Sequence, residues 1–148
     1  MDAKDKAIGP WLSVLYRTGQ SYLDKELKAY NLGSGQGMFL AVLLHQDGIS
    51  QENLSALLQI DKGTTARAIK KLEKEGYIIR RADPNDRRAN IIRVTEKSLT
   101  IKPVLKRVVE NWTDMLTKDF SKEEKEQVVR LLKRMAVNTD YCVGEIKQ

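Results

Sequence analysis

The 148-residue chain has one cysteine, Cys142, and one histidine, His45. A single cysteine excludes an internal disulfide, and neither residue stands in a Cys/His spacing that holds a metal. Paired carboxylates and a nucleophile–base set are also missing. The glycine-rich stretch at 33–37, GSGQG, lacks the lysine that follows a phosphate-binding loop and the strand that precedes one. We therefore expect no enzymatic activity and no cofactor. No apolar run approaches the roughly 20 residues of a membrane-spanning helix. The opening MDAKDKAIGP lacks the apolar core of a secretion signal. The expectation is a cytoplasmic protein without a membrane partner. There is no internal repeat and no low-complexity linker. A hydrophobic content of 41% is too high for a disordered chain, and the length suits one domain, or one domain with an oligomerisation arm.

Positive charge is abundant, and it is concentrated. The chain carries a net +6. Residues 61–97 hold 11 Lys/Arg against 6 Asp/Glu, whereas the remainder holds 15 against 14. Nearly all the excess lies in one quarter of the length, which suggests a polyanionic partner.

Periodicity divides the chain into elements. Apolar residues at 8, 11, 12, 15, 16, 22, 23, 27 and 30, with Gly19 in the gap, keep helical spacing for about six turns, until residues 31–33 break it. The stripe includes Trp11, Tyr16, Tyr22 and Tyr30, and its beginning is expected to pack on another chain. Ser34 can cap a second helix with Phe39, Leu40, Leu43 and Leu44 inward, its first turn weakened by Gly35 and Gly37. Ile49 and Ser50 suit a short edge strand. Ser50 then caps a third helix with Leu54, Leu57 and Leu58 on the core side. Asp61 caps a fourth, from Lys62 to Glu75, and Gly76 supplies its left-handed exit. On that helix Thr65, Ile69, Leu72 and Gly76 share one side, while Gly63, Thr64, Arg67, Lys70, Lys71 and Lys74 share the other.

Two β-rich runs, 77–82 and 90–95, flank a proline-containing turn and read as a hairpin. Thr95 should cap a fifth helix, with a kink or a new start at 101–103 because Pro103 lies inside it. Ser121 and Glu124 form a capping box for a sixth helix, whose apolar stripe is Val128, Leu131, Leu132 and Met135. The order α-α-(β)-α-α-β-β-α-α is mainly α with a small β-hairpin wing: a winged helix-turn-helix. A helix with one apolar and one basic side, beside a hairpin tipped by arginines, suits duplex DNA. The helix fits the major groove, and the arginines reach a minor groove or its phosphates. The bland alternative is a solvated basic face and a tip that merely solubilises the hairpin. Adjacent arginines in a tight turn repel each other, and DNA binding offsets that cost.

The residues Asp61-Lys62-Gly63-Thr64 with Arg67, then Leu72-Glu73-Lys74-Glu75-Gly76-Tyr77-Ile78, and above all Asp83-Pro84-Asn85-Asp86-Arg87-Arg88 followed by Val94-Thr95-Glu96, resemble the MarR family of winged-helix transcription regulators. The resemblance covers almost the whole chain. It implies that Thr64 and Arg67 lie at the groove-facing start of the recognition helix. It also implies that Arg88 enters the minor groove, held by charge-assisted hydrogen bonds to Asp86 or Asp61. It implies further a homodimer built by the first and last helices, a pseudo-palindromic operator, and repression or activation often relieved by a small aromatic acid or by cysteine oxidation. The sequence departs from the family at Thr65, where valine is frequent, and at Ala66, where a hydroxyl residue is frequent. Peroxide-sensing members carry their cysteine near the chain start, so thiol sensing is not transferred to Cys142.

The expected DNA-contacting set is Ser50, Gln51, Lys62, Gly63, Thr64, Arg67, Lys70, Lys71, Asp86, Arg87 and Arg88. Residues 34–96 are expected to form the DNA-binding domain, and 1–33 with 97–148 the dimerisation region. Expected partners are double-stranded DNA, a second copy of the chain and a small aromatic effector. The rival reading is a winged-helix protein-interaction module without sequence-specific DNA binding. His45 and the aromatic residues at helical spacing are expected to be structural before they are ligand contacts.

Overall fold

The computed structural model describes residues 7–86 and 88–139. Arg87 and Cys142 therefore lie outside the described residues. Six α-helices and three short strands follow in the order α1 (Ile8–Leu27), α2 (Ser34–His45), β1 (Ile49–Ser50), α3 (Gln51–Leu58), α4 (Lys62–Lys74), β2 (Ile78–Ala82), β3 (Asn90–Val94), α5 (Glu96–Leu116) and α6 (Lys122–Asn138). A single 3-10 turn, Lys28–Tyr30, follows α1. The strands form one antiparallel sheet in the order β1-β3-β2. β1 is the two-residue edge anticipated from Ile49 and Ser50, which pair with Ile92 and Ile91. Among the described residues, no helix is long and apolar enough to cross a membrane.

The core sits where α2, α3, α4 and the sheet meet the end of α1 and the first two thirds of α5. Leu40, Leu43, Leu54, Ile69, Leu72 and Ile78 are fully enclosed. Burying each such side chain is worth about 1.5–3 kcal/mol relative to leaving it in water. Leu27, Ile101, Leu105 and Val108 belong to the same cluster, so the flanking helices help to build the core of the central lobe. Leu57 and Leu58, expected on the core side of α3, only border it as half-buried residues.

Several local expectations change. Ser34 is the first residue of α2 and does not cap it. Gly33 occupies the cap position without a cap side chain. Instead, Asp24 on α1 accepts the Ser34 N–H at 2.6 Å, and Gln36 Oε1 accepts the Gly33 N–H at 3.0 Å. Long-range and back-folded acceptors thus satisfy the free N–H groups at the start of this helix. Gly37, read from the sequence as a weakness, is a packing requirement: a Cβ there would come within 2.7 Å of Leu27 Cδ1. Gly19 likewise admits the Trp112 indole, which stacks on Tyr22 with centroids 5.3 Å apart. Thr95 precedes α5, but its hydroxyl does not cap it. The hydroxyl donates to the carbonyls of Gly76 (2.7 Å) and Tyr77 (3.1 Å). No new helix starts at 101–103. α5 runs through Pro103 as one element, and the exposed Leu99 lies where the lost i→i−4 bond would have been accepted. Gly76, with φ of 75°, lies past the end of α4 and is exposed.

A set of bonds fixes the hairpin to both flanking helices. The Tyr77 hydroxyl donates to the Tyr30 carbonyl (2.7 Å), and the Ser98 hydroxyl to the Tyr77 carbonyl. Lys97 Nζ donates to the Glu75 carbonyl (2.6 Å) and lies 4.3 Å from the centre of the Tyr77 ring. Burial, and to a lesser degree Glu75 and Tyr30, raise the pKa of the Tyr77 phenol.

Candidate nucleic-acid interface

α4 is positioned by its own two faces. Thr65, Ala68, Ile69 and Leu72 are buried. Lys62, Gly63, Arg67, Lys70 and Lys71 are exposed, and Thr64 is half-buried. Asp61 caps the helix as expected, its Oδ1 accepting the Thr64 N–H at 2.8 Å. Hydrogen bonds from the Thr64 side chain and backbone, aided by the charge of Arg67, hold the Asp61 carboxyl below its ordinary pKa. At the same turn Arg67 Nη2 donates to Thr64 Oγ1 at 2.9 Å, and Lys62 Nζ meets Glu52 Oε1 of α3 at 3.3 Å. The Thr65 hydroxyl is buried with no hydrogen-bond partner among the described residues. It fills a place that an apolar side chain would suit better.

The wing tip is a folded structure made by its two aspartates. Asp83 Oδ1 accepts the Asn85 N–H (2.8 Å), and Asp86 Oδ1 accepts the Arg88 N–H (2.9 Å). Main-chain bonds between Asp83 and Ala89 in one direction, and between Ala89 and Asp86 in the other, close the loop. These are Asx turns, in which a short carboxylate replaces a backbone carbonyl. They correct the expected role of the aspartates. Asp86 holds the Arg88 backbone rather than its guanidinium, and Asp61 is committed to α4. Among the described residues the Arg88 side chain has no ion-pair partner, and the residue is exposed.

α3 is the common neighbour of wing and recognition helix. Its first turn is capped by Ser50, whose Oγ accepts the Asn53 N–H at 3.1 Å. Glu52 pairs with Lys62 of α4, while Ser50 and Asn53 line one groove with Asp83, Asp86 and Ala89 of the wing. Gln51 Oε1 accepts a bond from Arg80 Nη2 (3.0 Å), and Arg80 Nε also meets Glu73 Oε2 (3.3 Å). Arg80 thus ties β2 to both helices, a role absent from the expected set. The signal was available, since Arg80 is two residues from buried Ile78 and so shares its face of the strand. A second omission is Asp47, which accepts bonds from Arg93 Nη1 (3.1 Å) and the Val94 N–H (2.8 Å). Arg93 lies against Gly48, where a Cβ would come within 2.9 Å of the guanidinium. Arg80 and Arg93 are each paired with a carboxylate at the surface, so part of the +5 of residues 61–97 is already engaged within the chain. Lys70, Lys71 and Arg88 make no ion pair among the described residues. His45 is exposed at the end of α2. Among the described residues, no group of three or more His, Cys, Asp or Glu could hold a metal ion.

A three-helix lobe with a short edge strand, a capped and outwardly basic helix and a hairpin tipped by arginine is a winged helix-turn-helix. A model of the MarR family matches residues 32–89. YybA of Bacillus subtilis (strain 168), described as an uncharacterized HTH-type transcriptional regulator, is 33% identical over 129 residues, covering 87% of this chain and 86% of that protein. A MarR transcriptional regulator from Methanosarcina mazei Go1 superposes with a TM-score of 0.84 at 43% identity, over 89% of this chain and 95% of the other. A putative MarR family regulator from Listeria monocytogenes, solved as a complex with 26mer DNA, superposes with a TM-score of 0.84 at 33% identity over 92% of both chains. The chain belongs to the MarR family of HTH-type transcriptional regulators.

Proposed function

We propose that two copies of the chain form a cytoplasmic homodimer that binds a pseudo-palindromic operator and represses transcription, without catalysing any reaction. The observation that carries the DNA-binding mode is the division of α4 into a buried apolar face and an exposed basic one, next to the exposed Arg88, whose N–H is held by Asp86. Two such helices enter successive major grooves about 34 Å apart, and the wings take the flanking minor grooves. Ser50, Gln51, Lys62, Gly63, Thr64, Arg67, Lys70, Lys71, Asp86, Arg87 and Arg88 form or support the contact surface. The DNA complex of the Listeria relative supports this docking.

Dimerisation is supported by apolar surface that no other described residue of the chain covers. Trp11, Leu12 and Leu15 on α1, Val109 and Met115 on α5, and Leu131 and Leu132 on α6 are exposed. Residues 1–33 and 97–148 then supply the dimer arms, and 34–96 the DNA-binding lobe. A small aromatic acid relieves repression by binding where arm meets lobe, favouring one spacing of the two lobes over the other, with Pro103 as the pivot.

Selection of bound duplexes from a random pool tests the reading. The expected result is an enriched inverted repeat with half-site centres about 10 base pairs apart. No enrichment, or sedimentation as a monomer at micromolar concentration, would refute it. Titrating small aromatic acids against the bound operator tests the effector, and an unchanged affinity for all of them removes that part.

A further inference from the structure

We propose that Thr64 is the positioning residue for base recognition: its hydroxyl accepts from Arg67 and holds the guanidinium back along the first turn of α4, ready for a guanine edge. This rests on the DNA-reading role above and adds which group sets its specificity.

The geometry is local and continuous. The Thr64 N–H donates to Asp61 Oδ1 at 2.8 Å, and Arg67 Nη2 donates to Thr64 Oγ1 at 2.9 Å. Asp61 thus fixes the Thr64 backbone at the start of the helix, and the Thr64 hydroxyl in turn holds Arg67. The lowered Asp61 pKa, caused first by hydrogen bonding to Thr64 and further by Arg67, agrees with this grouping. Gly63 keeps the space clear: a Cβ there would stand 3.2 Å from Asp61 Oδ1 and 3.7 Å from Arg67 Nη1. Lys62, the other cation of this turn, is drawn to Glu52 on α3 and leaves the position to Arg67.

The arrangement suits guanine better than phosphate. A guanidinium has five N–H donors, and the bond to Thr64 uses one. A bidentate contact to guanine O6 and N7 uses two more. An unrestrained arginine on an exposed helix samples many rotamers, and fixing it on DNA costs entropy. One already held by Thr64 loses less, and only in the orientation Thr64 dictates. A phosphate, reached from many directions, gains little from that restraint.

The test uses the full chain and the operator selected above, together with duplexes carrying each base in turn at every half-site position. Failure to select any operator would sink the DNA-reading role itself. With an operator in hand, the wild-type protein is expected to prefer guanine at one position per half-site by about 5- to 150-fold. Arg67→Ala should erase that preference. Thr64→Val keeps the branched shape and the main-chain bond to Asp61 but lacks the hydroxyl, and should remove most of the guanine preference at that position alone. Thr64→Ala should do the same, which guards against a valine variant that packs badly. Thr64→Ser should stay within about threefold of wild type, since it retains the bonding atom. Two results would overturn the proposal. One is a uniform loss across all sequences for Thr64→Val and Thr64→Ala with the guanine preference intact. The other is an Arg67→Ala protein that still selects guanine there.

Discussion

Helices α4 and α6 are both strongly amphipathic, and the chain treats them in opposite ways. In α4 the apolar residues Ala68, Ile69 and Leu72 are at most 5% exposed. In α6 the residues Leu131 and Leu132 remain 37% and 45% exposed, and no residue of the helix is buried. The same contrast runs within α1, where Leu27 is enclosed and Trp11 is 64% exposed. The core of the central lobe is closed within one chain, with the end of α1 and the first part of α5 completing it, so the remaining face of α4 is free to be polar and basic. Among the described residues, large apolar side chains stay exposed along α1, α5 and α6, the kind of surface on which the proposed dimer rests. An apolar stripe therefore establishes that a face will leave water, and its position in the fold determines whether the same chain can supply the cover.

The comparison can be broken most severely with salt. If the lobes bind DNA through about six to ten phosphates per dimer, raising salt from about 50 to about 200 mM should weaken operator binding about 10³- to 10⁵-fold. Arm association, being apolar, should change little over that range, as sedimentation at both salts would show. A flat DNA response would detach the basic face from its assigned role.

Charging the arms attacks the other side. Leu131→Lys combined with Leu132→Glu should yield monomers in sedimentation and lower operator affinity by about 10²- to 10⁴-fold, the usual benefit of linking two binding units. The far-ultraviolet spectrum of the lobe should survive. Dimers that persist would place the interface elsewhere. Conversely, Leu54→Ala opens a cavity in the lobe and should cost about 2–5 kcal/mol in denaturant unfolding. Its effect should be independent of protein concentration if the lobe core is complete within one chain.

The finest comparison is between two helix caps. Ser121→Ala removes an uncharged cap from α6 and should cost about 1 kcal/mol at any pH, since the hydroxyl does not titrate. Asp61→Ala removes a charged cap from α4. Because the folded Asp61 pKa is depressed, its contribution is present above the ordinary carboxylate pKa and is lost as pH falls through the lower, folded value. The two variants should converge on wild type differently in acid: the Asp61→Ala penalty should shrink and the Ser121→Ala penalty should not. Equal acid dependence in thermal melts would dismiss the Thr64–Asp61 bonding as the cause.

Much of the molecule was legible because local rules carried it. The caps at Ser50, Asp61 and Ser121, the exit at Gly76, the edge strand at Ile49 and the hairpin each depend on a few neighbouring residues whose chemistry admits few alternatives. The errors arose where a local candidate was outcompeted by a distant one. Ser34 lost its capping role because the helix starts one residue earlier than the serine signal suggests: Gly33 takes the cap position, and Asp24, ten residues earlier, accepts the Ser34 N–H. Thr95 turned from α5 to the carbonyls of Gly76 and Tyr77. The aspartates of the wing shape its backbone and leave the Arg88 guanidinium unpaired among the described residues.

By itself the sequence determined the order and type of the elements, which helix is basic outside and apolar inside, and the concentration of charge in one quarter of the chain. Periodicity and capping are properties of neighbouring residues, so a string of letters contains them. Tertiary structure alone decided that Arg80 and Arg93 pair with Glu73 and Asp47, that Trp112 and Leu27 pack closely on Gly19 and Gly37, and which apolar stripes stay uncovered among the described residues. Those outcomes depend on groups brought within a few ångströms from remote positions, and electrostatic and packing energies act over that distance regardless of separation along the chain.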